Sequence, residues 1–123
     1  MAGLTVHMDD LHQLVATLGK KTEGMDSRTA QVVRKAAFDV ERFAKTYAPV
    51  DTGFLKNSIH TVIQTNNWRV YAAEVIAEAE YADFVEHGTS RMAPQPFMAP
   101  ALARVEPGFL AVLELLANPL DTR

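Results

Sequence analysis

The residues in this 123-residue chain that most resemble a catalytic signature are Asp51-Thr52-Gly53. That tripeptide carries the catalytic aspartate of aspartic proteases, where two carboxylates share a proton and a short chain supplies one of them per protomer of a homodimer. In such enzymes the aspartate lies in a loop between strands. Here the tripeptide follows a helical pattern and Ala48-Pro49, and Phe54-Leu55-Lys56 replaces the small residue and acid that usually follow. No glycine-rich flap is present. The residues are better read as a helix cap, with a homodimeric aspartic protease as the rival of another class. Asp51→Asn separates the two, eliminating a protease but only modestly weakening a cap.

His7, Asp9, Asp10 and His12 form a local cluster of metal-ligand types. A strand carrying His7 and a helix carrying His12 give no reason for the ligands to converge, so capping and solvation are the simpler reading and no metal is expected. His60 stands alone on a strand pattern, and Glu86-His87 precedes Gly88 at a helix terminus. The chain has no G-x-S-x-G, Walker loop, G-x-G-x-x-G or H-E-x-x-H, so no cofactor is expected either. With no cysteine, disulfides and thiolate chemistry are excluded.

These residues need a scaffold, and the composition describes one. Apolar residues make up 48% and charged residues 22%, the balance of one globular domain spanning residues 1–123. The longest apolar stretch, near Phe109–Leu116, contains Glu114 and is too short to cross a bilayer. Two acids by Asp10 and no basic region argue against a signal peptide, so a soluble intracellular domain is expected. A formal charge of −3 predicts no global attraction to nucleic acid.

Leu4–Met8 alternates as a half-buried strand does. Leu11, Leu14, Val15 and Leu18 recur at helical spacing after Asp9-Asp10 and before Gly19, which predicts a short helix. A longer helix is predicted over Ser27–Tyr47, capped by Asp26 or Ser27, with Val33, Ala36, Ala37, Val40, Phe43, Ala44 and Tyr47 as its apolar stripe. A turn from Gly53 to Asn57 leads into strands Ser58–Thr65 and Tyr71–Ala79. Keeping apolar faces together there requires an odd-length loop or a bulge, with Ile59 opposite Val75 and Ile63 opposite Tyr71. A helical turn over Tyr81–Glu86, an extended Met92–Pro96 and a last helix from about Phe97 complete the chain. Pro107-Gly108 is expected to break or restart that helix. The fold class is α+β: a small antiparallel sheet packed on a long amphipathic helix, with a C-terminal helix.

Charge is uneven, with +1 in residues 1–60 and −4 in residues 61–123. Glu74, Glu78 and Glu80 share one strand face by parity, with Asp83 and Glu86 beyond. A solvated face is the plain reading; a channel lining or a contact with a basic helix of another subunit is the sharper one.

Ala48–Ile59 (A-P-V-D-T-G-F-L-K-N-S-I) and Tyr81–Leu102 (Y-A-D-F-V-E-H-G-T-S-R-M-A-P-Q-P-F-M-A-P-A-L) together resemble the tail-component, or neck, family of long-tailed double-stranded DNA bacteriophages and prophages. The order of elements fits over residues 30–105, and His87 departs from a commoner aromatic. The resemblance implies a structural virion protein rather than an enzyme: a neck or tail-completion subunit at the head–tail junction, assembled with itself as a ring around the DNA path. Six copies per ring is the number the resemblance suggests. Another junction ring, a tail terminator or head-closure protein, is the alternative within that class. Partners would be other neck and tail proteins, and DNA would pass through the lumen without sequence-specific binding. The chain would reside in the virion after assembly in the host cytoplasm.

The resemblance also assigns structural roles. Asp51, with Pro49 and Thr52 beside it, would cap the turn opened by Gly53; Leu55 and Ile59 would anchor it, next to Ser58. Tyr81, Val85, Glu86 and Thr89 are motif positions, and Gly88 would make a positive-φ exit. Pro94, Pro96 and Pro100 would stiffen a loop, and Phe97 and Met98 would anchor it on the core or a neighbour. Rings need unlike patches to meet. The candidate contact sets Arg34, Arg42 or Lys45 against Glu78, Glu80 or Asp83, with Arg91 and Met98 nearby. An acidic lumen is the other use of Glu78 and Glu80. Charge reversal there would abolish assembly in the first case and DNA passage in the second.

Overall fold

The computed structural model describes residues 4–8, 13–19, 25–49, 53–66 and 69–117. Eight elements follow in order: β1 (Leu4–Met8), β2 (Leu14–Leu18), α1 (Ser27–Tyr47), α2 (Phe54–Asn57), β3 (Ile59–Asn66), β4 (Arg69–Ala77), α3 (Ala82–His87) and α4 (Met98–Ala117). The four strands form one antiparallel sheet in the order β1-β2-β4-β3, with α1 and α4 packed together and against it. This is the α+β arrangement expected from the sequence.

Helix α1 has the predicted limits. The Asp26 carboxylate accepts the Thr29 N–H at 2.8 Å, and Val33, Ala36, Ala37, Val40 and Ala44 are buried. Three alanines in that stripe lie over a sheet face that itself offers Ala16, Ala73 and Ala77, so backbones approach closely. Leu14, Leu18, Ile59 and Val75 fill the space between them.

The segment around Leu14 corrects the sequence reading: Leu14–Leu18 is a strand, not a helix. A short apolar run carries both periodicities, and strand pairing decides between them. β2 lies between β1 and β4, bonded to both, and all five of its residues are buried. Gly19, at φ 76°, leaves a strand rather than closing a helix. Asp9, Asp10 and His12 lie outside the described residues.

In the β3–β4 hairpin the predicted bulge is present between Gln64 and Thr65, where the pairing skips Tyr71. The predicted partners are shifted by two: Ile59 faces Ala77 and Ile63 faces Ala73. The strands zip on to Asn66 and Arg69, and the bulge absorbs the odd residue. A two-residue shift preserves parity, so Ile59, Thr61 and Ile63 face the helices with Ala73, Val75 and Ala77 as the pattern required.

Helix α4 also differs, because it runs through Pro107 unbroken. Proline removes the bond to the Ala103 carbonyl, but both residues are exposed and water can serve that oxygen. Val105 and Phe109, at 8% and 4% exposure on either side, stay buried only if the helix continues. Among the described residues no helix is long and apolar enough to cross a membrane.

Candidate functional site

The two motif stretches build one corner of the molecule. Gly53 opens α2 at φ 82°, a left-handed conformation that glycine adopts at no steric cost. Leu55 enters the core, and the Ser58 hydroxyl donates to the Leu55 carbonyl at 2.7 Å while accepting the Ala79 N–H at 3.1 Å. The Ser58 carbonyl takes the Glu78 N–H at 3.2 Å, so the first motif is stitched to the residues that lead into the second. The Asp51 cap expected from the sequence, like Thr52, lies outside the described residues. The described elements on either side of this stretch are the helices α1 and α2 rather than strands.

Glu86 is the organising residue of the second motif, where sequence reasoning saw a motif position, an acid in the acidic run and a helix terminus, but not a cap. It is 4% exposed, and its carboxylate accepts three backbone N–H groups at the start of α4. Oε1 takes Phe97 at 3.0 Å and Met98 at 2.8 Å; Oε2 takes Ala99 at 2.9 Å. A helix leaves its first four N–H groups unpaired, and a negative charge there also meets the positive end of its dipole. Counted from Phe97, the residue before the helix, the fourth position is Pro100, which has no N–H, so every orphan donor at the start of α4 is accounted for.

The chain between Glu86 and α4 is clipped into place. Gln95 donates to the Val85 carbonyl at 2.8 Å, and Thr89 and Met92 pair with each other. Gly88 has φ 78°, and a Cβ there would lie 2.8 Å from the Pro94 nitrogen and 2.9 Å from the Met92 carbonyl. Phe97 and Met98 are fully buried core residues. That corrects the expectation of Met98 at a subunit contact: in the folded chain it has no surface to offer.

What the corner leaves exposed is aromatic and acidic. Phe54 and Phe84 are 63% and 56% exposed, and Tyr81 meets Phe54 edge-on with centroids 6.1 Å apart. Glu78 and Glu80 line the same surface hollow as Phe54 and Tyr81, and Asp83 precedes Phe84 in α3; β4 ends at Ala77, so Glu78 and Glu80 lie past the strand that was expected to carry them. Glu74 stays in the sheet, where Gln64 donates to it at 2.9 Å. Glu78 is 3.4 Å from His60, and Asp83 is 2.8 Å from His87.

Helix α1 divides the predicted basic set between its flanks. Lys45 pairs with Glu41 at 2.9 Å, and Glu41 accepts the Thr61 hydroxyl at 2.7 Å, so this flank faces β3; Arg34 shares it by helical spacing. Burial pushes the Glu41 pKa up, but the Thr61 hydroxyl and the Lys45 ammonium outweigh it and hold the carboxyl below its ordinary value. Arg42 stands on the other flank, 3.7 Å from Asp39, which also takes Lys35 at 2.7 Å. There α1 and α4 enclose a groove of about 620 Å³. Arg42 and Arg104 lie 4.4 and 4.3 Å from the centre of the Phe43 ring. Arg104 also donates to the Tyr47 hydroxyl at 3.0 Å. Arg91 is an exposed loop residue whose N–H bonds the Thr89 hydroxyl at 3.1 Å.

Among the described residues no group of histidines and carboxylates could hold a metal ion. The motifs hold helices and turns in place and present the aromatic, acidic corner, while α1 and α4 form the unlike surface of the groove. The chain matches no curated protein and no solved structure. A family model described as "Bacteriophage HK97-gp10, putative tail-component" matches residues 12–88, from just before β2 through Glu86 and Gly88. With its helix-capping carboxylate and glycine exit inside that match, the chain belongs to the HK97-gp10-like family of phage tail components.

Proposed function

We propose that the chain is a structural subunit of the phage head–tail junction, one copy of a neck or tail-completion ring through which the DNA passes. The observation that carries this reading is the pair of unlike exposed surfaces on a tail-component fold. An aromatic, acidic ridge lies at one corner, and an apolar, cation-rimmed groove lies between α1 and α4. Unlike patches associate head to tail, and a head-to-tail contact that closes makes a ring. The motif residues serve caps, turns and core anchors, as a subunit that must present rigid surfaces to copies of itself and to other neck and tail proteins requires. Six copies per ring is the number the family resemblance implies.

The experiment is a reconstruction of virions in which the chain carries a compact fused tag. Tag density at the junction between head and tail is expected. Density confined to the distal tail, or none in the virion, would overturn the junction reading.

A further inference from the structure

We propose that the aromatic ridge of one copy docks into the α1–α4 groove of the next. The proposal rests on the chain acting as a self-assembling subunit and names the surfaces through which it does so. Phe54, Tyr81 and Phe84 keep large apolar area in water, and aromatic side chains recover the most free energy when a partner covers them. Val32, Phe43, Val105 and Phe109 line the groove and give such rings an apolar floor. A volume of about 620 Å³ is ample for aromatic side chains.

Charge selects the occupant. Lys35, Arg42 and Arg104 on the groove outnumber Asp39, while the ridge carries Glu78, Glu80 and Asp83 and no lysine or arginine other than Lys56 beside it. Arg42 and Arg104 are already held against the Phe43 ring, so little side-chain freedom is lost when a carboxylate arrives. The two surfaces share no residue. Each copy can therefore use both at once, and the contact is head to tail rather than two-fold.

The chain has no cysteine, so a pair of engineered thiols reports the contact directly. Gly108 lines the groove, and a Cβ there meets nothing within 4 Å, so Gly108→Cys is tolerated. Asn57→Cys, exposed beside Phe54 and Tyr81, marks the ridge and keeps its three aromatic rings. With a short bis-maleimide, a mixture of the two single variants should give covalent dimer about tenfold above either variant alone, and Glu80→Lys in both chains should remove most of it. Self-linking of Asn57→Cys as strong as the mixed product would mean a two-fold contact and overturn the proposal. So would a chain that sediments as an oligomer without the mixed product, or one that stays monomeric and unlinked at millimolar concentration. Protection of the Gly108→Cys thiol by duplex DNA instead of a second copy would assign the groove to phosphates and also overturn it. Each of these failures leaves the tag density in the virion free to support the junction reading.

Discussion

Replacing Glu86 tests the central structural claim, that one buried carboxylate organises the start of α4. Glu86→Ala strips an acceptor from three N–H groups, those of Phe97, Met98 and Ala99. Phe97 and Met98 are fully buried, so water cannot replace the lost oxygen without opening the clip. Each buried donor left unpaired costs about 1–3 kcal/mol, and the loss of the helix cap belongs to the same loss. A destabilisation of about 3–5 kcal/mol is expected, a large share of the ~5–15 kcal/mol of a typical domain. Glu86→Gln keeps one oxygen, enough for the pair at Phe97 and Met98, but turns an amide toward the Ala99 N–H and removes the charge. Its cost should be smaller, about 1–3 kcal/mol. Urea unfolding followed by circular dichroism measures both, and hydrogen exchange should show the loss concentrated in the first turn of α4. A Glu86→Ala cost below about 1 kcal/mol, or Gln and Ala variants of equal stability, would refute the capping argument.

Two further perturbations probe places where local rules and tertiary packing disagree. Pro107→Ala restores the donor missing from the interior of α4 and should raise stability by about 1–3 kcal/mol in thermal unfolding, since both Pro107 and the Ala103 carbonyl it leaves unbonded are exposed. No gain would mean that the proline fits α4 without cost. Glu41 gives a pH dependence. Its carboxyl is held below its ordinary value in the folded chain, so its contribution is present above the unfolded pKa and is lost as pH falls through the folded one. Glu41→Gln should therefore be less stable near neutrality and lose less on acidification, as urea midpoints across the carboxylate range would show. Parallel curves would refute the assignment.

Local signals were enough wherever one stretch of chain settles its own conformation. The α1 stripe repeats over about four turns, in a helix with no glycine or proline and an aspartate in front, so both ends of the helix were readable from the residues alone. Strand parity in the hairpin was readable for the same reason, because a one-residue slip would turn every isoleucine to the wrong side. The motif order likewise pointed to the phage family, whose model spans residues 12–88.

Other features depend on partners distant in sequence. Leu14–Leu18 fits a helix or a strand equally well by itself, and only hydrogen bonds to β1 and β4 on either side make it a strand. Pro107 should stop a helix, yet buried Val105 and Phe109 carry α4 through it. Glu86 looked like one acid in a run of acids until the clip at Gly88 and Pro94 brought it to N–H groups 11 to 13 residues later. The separation of Arg42 from Arg34 and Lys45 follows from where α4 and β3 pack around α1. Sequence therefore determined which segments could be helices and strands and which family they belong to. Tertiary structure decided which residues are spent inside and which remain outside to meet a neighbour, because burial is a property of the whole packing and not of any local pattern.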